Sequence, residues 1–351
     1  MATVPSRRAA AGDRVKAVRR LFRRWDLFLL TPLLLIPFCG VEQPAPIPRA
    51  PITRLILGGD VMLSRHVGRL ARDRHDPASP LRDLASVLNA ADIAFVNLES
   101  PFSDRGRRVE TGMVFKAEPD MIEALKIAGV DVVSTANNHA RDQSGHGVEF
   151  TLDWLSQHGI AAAGSGRSSQ EAHAGAIVTR NGMRFGFLAY TYDQSNGNHR
   201  DHDERVAVLD LAAMRRDVAE LKQRADVVVV SMHAGYEYVP RPNLQQTDFA
   251  RAAIDAGARI VVGHHPHVIQ PWERYAGGVI FYSLGNLVFD QFQRVETQHG
   301  LLAEVVFAGR TLLHAGVMPV DIVQTVPRLA FSPAVVTQTS GNGVVASTAS
   351  Q

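Results

Sequence analysis

One cysteine, Cys39, stands in the whole 351-residue chain, so no disulfide can close within it. Nor is there a large excess of one charge. Against 37 Lys and Arg stand 35 Asp and Glu, a formal +2, and a chain so balanced lacks the basic footprint of a nucleic-acid binder. The apolar stretch 27–40 is interrupted by Pro32 and Pro37, and it falls short of the roughly 20 residues that cross a bilayer comfortably. No internal repeat is found, which excludes a solenoid or propeller. With 46% hydrophobic and 21% charged residues, disorder and collagen-like structure are excluded as well. The length suits one large α/β domain or two small ones.

The charge that is present is unevenly placed. Residues 1–26 hold eight Lys and Arg against two Asp and Glu, a net +6, so the remainder carries 29 against 33, a net −4. A basic N-terminus followed by an apolar run at 27–41 has the layout of an export signal or membrane anchor. The positive flank would stay cytoplasmic and the rest would lie outside. The expected location is therefore extracytoplasmic, in the periplasm or at the cell surface, either secreted or tied to the membrane through the N-terminus. Cys39 sits near a lipoprotein position, but the large Phe38 before it argues against lipidation. The segment 42–52 is Pro-rich and reads as an extended linker.

From residue 53 the chain turns regular. Short apolar runs at 54–58, 92–97, 130–134, 184–190, 226–231, 259–263 and 279–283 read as buried strands. Between them lie helical patterns at 119–128, 211–221 and 247–256, the first opened by Pro119 and closed by Gly129. This alternation predicts a largely parallel sheet wrapped in helices. The segments 301–307 and 311–323 read as a closing antiparallel pair. The expected domain is 53–325, with a loose tail over 326–351.

In open α/β sheets the ligand crevice lies beyond the carboxyl ends of the strands. Those ends carry Asp60, Asn97 and Glu99, Asn137-Asn138-His139, His233, His264-His265-Pro266-His267, and Gly285-Asn286. Singly, Asp60 could be a turn or cap residue, and His233 a hydrogen-bonded core histidine. Three imidazoles within four residues are harder to assign to packing. Together these carboxylate, amide and imidazole groups are the donor types of a borderline divalent ion, and metal or phosphate chemistry is expected. His146, His158 and His173 are expected to be solvated. His199 and His202 fall in a polar loop, and Arg105–Arg108 reads as an exposed charged loop.

Several stretches, in this order, resemble the CapA family of bacterial capsule or poly-γ-glutamate biosynthesis proteins. They are Gly59-Asp-Val-Met-Leu-Ser-Arg65, Phe95-Val-Asn-Leu-Glu-Ser100, Phe115-Lys-Ala-Glu-Pro119, Ala124 to Ala140 with its Asn-Asn-His-Ala, Gly263-His-His-Pro-His-Val268, and Phe281 to Asp290. The resemblance covers about residues 52–295. It implies a four-layer α/β/β/α sandwich of the metallo-dependent phosphatase type, related to calcineurin-like phosphoesterases.

The resemblance also implies roles. Asp60, Glu99, Asn138, His233, His265 and His267 would be ligands of one or two divalent ions, Mn, Zn or Fe. His139 would be the general acid, and His264 a supporting imidazole behind the ligands. Arg65, Asn97, Lys116 and Asn286 would face the substrate. Met62 departs from the pattern, because the phosphoesterases carry a histidine there, and the first ion would lose a ligand. Three readings follow. The first is a protein of capsule or poly-γ-glutamate assembly working beside membrane synthase subunits. The second is a metal-dependent phosphoesterase or other hydrolase. The third is a module that grips an anionic polymer without reaction.

Overall fold

A computed structural model describes residues 50–105, 113–192 and 203–330, together with two short strands at 338–340 and 343–344. The segments 1–26 and 27–41 lie outside the described residues, as do His199, His202, Arg107 and Arg108. Among the described residues no helix is long and apolar enough to cross a membrane.

The run that opens the domain becomes β1 (Ile52–Val61), whose residues are buried from Leu55 onward. Burial on both faces is why the run is continuously apolar rather than alternating. β2 (Ile93–Leu98), β3 (Val132–Ser134) and β4 (Ala161–Ala163) extend from it in parallel. The chain then builds a second sheet. β5 (Ala176–Arg180) is an antiparallel edge on β6 (Met183–Thr191), and β7 (Val227–His233) and β8 (Ile260–His264) follow in parallel. β9 (Trp272–Tyr275) and β10 (Gly278–Phe281) form a hairpin, with β10 parallel to β8. β11 (Asn286–Val288) crosses back to pair with β1. β12 (His299–Ala308), β13 (Thr311–Val323) and β14 (Val326–Leu329) complete the first sheet as an antiparallel meander. β15 (Gln338–Ser340) joins β9, and β16 (Gly343–Val344) pairs with β15.

The single largely parallel sheet predicted from the strand–helix alternation is thus two mixed sheets. Apolar runs reveal strands but not which strands pair. β14 continues the pairing past Thr325, and Arg328 bonds Asp83 at 2.9 Å.

Alternation along the strands sets the layers. Leu55, Leu57 and Phe95 of the first sheet pack against Phe187, Val229, Val262 and Phe281 of the second, and Phe95 and Phe187 stack at 5.8 Å. Their neighbours Ile56, Ala94 and Val96 face the other way. They meet α1 (Arg65–Asp73), α3 (Ile122–Ile127) and α4 (Ser144–Gln157), while α2 (Ala85–Leu88) adds Leu88. On the far side, Leu188, Val228 and Val261 are covered by α5 (Ser169–Ala174), α6 (Leu211–Leu221) and α7 (Leu244–Ala256). The order is α/β/β/α, as the resemblance implied. α7 begins three residues before the predicted start, because Asn243 and Gln246 close a capping box there.

Candidate metal centre

The polar cleft lies where the carboxyl ends of both sheets meet. β1 delivers Asp60, β2 delivers Asn97 and then Glu99, and the turn after β3 brings Asn137, Asn138 and His139. The second sheet contributes His233 from β7 and the His264–His267 segment from β8. β11 returns Asn286 beside Asp60 in strand register. Close backbone approach makes this junction possible. A Cβ on Gly59 would sit 2.0 Å from the Gly285 carbonyl oxygen, and one on Gly263 would sit 1.9 Å from that of Tyr282. The Gly-Gly-Asp and Gly-His-His sequences are therefore requirements of the joint between strands.

Asp60, Glu99 and His267 form the centre, each with a donor atom within 4.8 Å of the others and all three buried. Asp60 Oδ1 accepts from Asn97 Nδ2 at 2.8 Å, and Asp60 Oδ2 accepts from the His265 amide at 3.3 Å. Burial opposes its charge, yet contacts with His264 and His267 hold its carboxyl well below the usual range. Glu99 is the opposite case. Burial, then the Asp60 charge, push it well above the usual range. Neither of its buried carboxylate oxygens has a hydrogen-bond partner, and the cationic group facing it among the described residues is His267 Nε2 at 3.6 Å. Burial also opposes a charged His267, but Glu99 and Asp60 lift it to about 9.

Hydrogen bonding fixes the imidazoles. Asn286 Nδ2 donates to Gln291 and to the Thr297 carbonyl, so its oxygen accepts from His267 Nδ1 at 3.0 Å. That leaves His267 Nε2 turned to Glu99 as the nitrogen able to ligate. His233 lies between Asn97, at 3.3 Å from Nδ1, and Asn138 Oδ1, at 2.8 Å from Nε2. Burial first, then His265, keep it neutral. Burial and the charge of His267 lower His265 to about 3, and its Nδ1 has no partner. His265 and His267 both take positive φ, 95° and 57°. Strained backbone of this kind persists where surrounding structure over-determines it.

His264 lies behind this group, fully buried, with Nδ1 3.3 Å from Asp60 Oδ1. It supports Asp60 and, like Asp60, does not line the cavity. His139 stacks on Phe115 at 3.8 Å, and its Nδ1 meets Asp142 Oδ2 at 2.7 Å. Asp142 is held in turn by the Phe115 amide at 2.6 Å.

A cavity of about 290 Å³ opens on these groups, lined by Asn138, His139, His265 and His267 and walled by aromatic Phe115, Tyr192, Tyr238 and Phe289. Glu237 stands at its mouth, forming a second cluster within 4.8 Å with His265 and His267. The sequence reading missed Glu237 and Asp142. Neither follows a strand directly, although Glu237 comes four residues after His233 and Asp142 three after His139.

Other expected residues sit elsewhere. Arg65 pairs with Asp290 at 3.2 Å and Lys116 with Glu118 at 3.2 Å, and neither lines the cavity. Asn97 and Asn286 spend their amides orienting Asp60, His233 and His267. His146, His158 and His173 are half-buried, and each also meets an acceptor. They bond Asp104, the Trp154 carbonyl and the buried Asp217, His146 and His173 from helices and His158 from the cap that ends α4. Met62 is fully buried, and its sulfur accepts from the Ser64 amide at 3.1 Å.

The donor set fits a divalent cation. A buried carboxylate with two unpartnered oxygens, beside a second carboxylate and imidazole nitrogens, is costly without positive charge, and a cation supplies it.

Fold and cleft together define an α/β/β/α sandwich protein with metal-ligand groups converging from both sheets. Residues 54–291 match the family described as "Bacterial capsule synthesis protein PGA_cap", and the chain belongs to that family. It is 33% identical over 237 residues to "PGA biosynthesis protein CapA" of Bacillus subtilis (strain 168), an alignment covering 66% of this chain and 62% of that one. It is 31% identical over 242 residues to "Capsule biosynthesis protein CapA" of Bacillus anthracis, covering 66% and 59%. The chain thus spans about three fifths of the length of these relatives. A hypothetical protein from Thermus thermophilus shares the fold, with a TM-score of 0.51 at 19% identity, covering 76% of this chain and 98% of that one.

Proposed function

We propose that this chain serves capsule or poly-γ-glutamate assembly outside the cytoplasm, beside membrane synthase subunits, with a cleft that holds one or two divalent ions. The observation that carries the metal reading is Glu99, a fully buried carboxylate whose two oxygens lack hydrogen-bond partners beside Asp60 and His267. Asp60, Glu99 and His267 would hold one ion. His265 and Glu237, with Asn138 and His233 alongside, would hold or share another. Mn, Zn and Fe all suit this mixture of oxygen and nitrogen donors.

A bound divalent ion supplies Lewis-acid polarisation of a substrate oxygen and activation of water at neutral pH. The chain's own residues do the rest. Asp142 accepts a hydrogen bond from His139 Nδ1 and fixes the ring against Phe115, so Nε2 is the nitrogen that can give a proton to a departing group. The walls of Phe115, Tyr192 and Phe289 restrict water around that transfer. Buried Met62 in place of an imidazole weakens the first ion.

A metal-dependent phosphoesterase is the second reading, favoured by the His139–Asp142 pair, which gripping a polymer would not require. Gripping an anionic polymer without reaction is the third. Metal analysis of the purified chain, followed by turnover assays on a simple phosphoester and on polyglutamate, separates them. Bound metal with turnover lost in His139→Ala supports catalysis. Metal without turnover of either substrate supports gripping. A chain that takes up no ion refutes the metal reading.

A further inference from the structure

We infer that α1 and the groove beside it form a second binding surface for a linear polycarboxylate, leading to the metal cleft. The inference rests on the capsule-polymer reading above and names where such a chain would lie.

The first observation is a contrast in charge pairing. Elsewhere in the domain many arginines meet carboxylates, among them Arg180 with Asp131, Arg184 with Asp226, Arg205 with Asp203, Arg251 with Glu273 and Arg328 with Asp83. Those among the described residues that do not, such as Arg215, Arg241 and Arg274, are scattered rather than grouped on one helix. α1 and its cap carry Arg65, Arg69, Arg72 and Arg74 against the single acid Asp73. Among the described residues only Arg65 of these four has an ion-pair partner. Arg65, Arg69 and Arg72 stand at i, i+4 and i+7, one face of the helix. Like charges so spaced cost an isolated helix about 0.2–0.5 kcal/mol per pair. Arg65 opens the helix, where the macrodipole disfavours a cation, and no acid occupies the first turn. Arg72 in the last turn and Arg74 at the C-cap suit the macrodipole, but the Arg65–Arg69 end of the face gains nothing from it, and an anionic ligand would compensate that charge.

The second observation is shape. A groove of about 510 Å³ runs beside α1, lined by His66, Leu70 and Arg74 on one side and by Phe292 and Val323 on the other. Phe292 and Val323 are 43% and 50% exposed. Arg69 Nη2 reaches His66 Nδ1 at 2.6 Å, which joins the arginine face to the groove.

The third observation is continuity. Arg65 contacts Met113 at 2.7 Å and lies 5.6 Å over the Phe115 ring, and both residues line the metal cavity. Gln291, also in the cavity wall, immediately precedes Phe292. A chain lying along the groove and over Arg69 therefore reaches the cavity mouth by way of Arg65. Guanidinium forks spaced about 6 Å apart along the helix suit a string of carboxylates, each taken bidentately. The methylene stems between them suit Leu70 and Phe292.

The test uses the full chain in non-ionic detergent and fluorescent poly-L-glutamate as probe, with polyglutamine as the uncharged control. Arg69→Glu combined with Arg74→Glu is expected to weaken polyglutamate binding about tenfold, from two lost pairs. The Lys counterparts should recover only part of it, the charge without the bidentate fork. Added salt should weaken wild-type binding steeply and the double variant's little. Metal content is measured in the same samples, so loss of the track is read apart from loss of the metal centre. Equal polyglutamate affinity in wild type and the double variant overturns the inference. So does wild-type protein that ignores polyglutamate but binds phosphatidylglycerol vesicles through Arg69 and Arg74, because the face then meets a membrane instead.

Discussion

At the scale of single residues, the cleft holds unequal carboxylates. Asp60 has donors on both oxygens, and Glu99 has none. Glu99→Gln should therefore act differently on two measurements. In chelator, urea unfolding should show an apo protein within about 1 kcal/mol of wild type, because a buried carboxylate without hydrogen-bond donors is gone while its contact with His267 is lost and a buried amide takes its place. Calorimetric titration with Mn²⁺ should show affinity down at least tenfold, because one ligand is lost. Stability and affinity falling together would mean that Glu99 is a structural anchor. Glu237→Gln, at the exposed mouth, should leave stability within about 0.5 kcal/mol while weakening any ion that Glu237 and His265 would hold. Metal stoichiometry checks it.

At the scale of elements, the strands and caps that aim the ligands can be tested separately. α7 starts with a reciprocal cap in which Asn243 Oδ1 accepts from the Gln246 amide at 2.9 Å. Asn243→Ala should cost about 1 kcal/mol, seen as a lower melting temperature with the metal stoichiometry unchanged.

The two sheets are also tied at the opposite end from the cleft. Asp226, just before β7, bonds Arg184 of β6 and Arg310 in the β12–β13 turn. These bonds, Arg184 first, hold its carboxyl far below its ordinary 3.8. A depressed carboxyl stabilises the fold above its unfolded value and loses that contribution as pH falls below it. Asp226→Asn should therefore be less stable than wild type at pH 7, and the two unfolding curves should converge in strong acid. A gap that persists unchanged below the ordinary carboxylate range would refute the tie.

At the scale of the whole molecule, the candidate ligands come from both sheets. Asp60 and Glu99 arrive on the first, and His233, His265 and His267 on the second. Any ion shared by these groups joins the halves of the sandwich. Saturating Mn²⁺ or Zn²⁺ should raise the melting temperature, by an amount equal to about 2.7 kcal/mol at a hundredfold excess over Kd, and chelator should reverse it. An ion that binds without moving the transition would bind the unfolded chain as well as the folded one, and so would not be held by the folded cleft.

Much of this architecture could be read from residue order. The buried strands appear as apolar runs because both faces are covered, and the groups that follow them mark the cleft rim. Helix ends at Pro119 and Gly129 are local chemistry and were legible for that reason. Short edge or crossing strands such as β4, β5 and β11 were not, because their pairing partners are distant in the chain. Glu237 and Asp142 were missed on the same ground, since their roles rest on His265 and His139 lying across a gap that spacing does not reveal.

Local preference and composition thus determined which segments become strands and helices, which polar groups follow the strands, and that no disulfide closes within the chain. Only folding in three dimensions decided that there are two sheets rather than one and that Glu99 is left without a hydrogen-bond partner. It also decided that Arg65 and Lys116 turn to acidic neighbours, while Arg69 and Arg74 meet no carboxylate among the described residues. The physical reason is that pairing, burial and charge compensation are properties of neighbours in space. Residues more than two hundred positions apart, such as Asp60 and His267, become neighbours only when the sheets close.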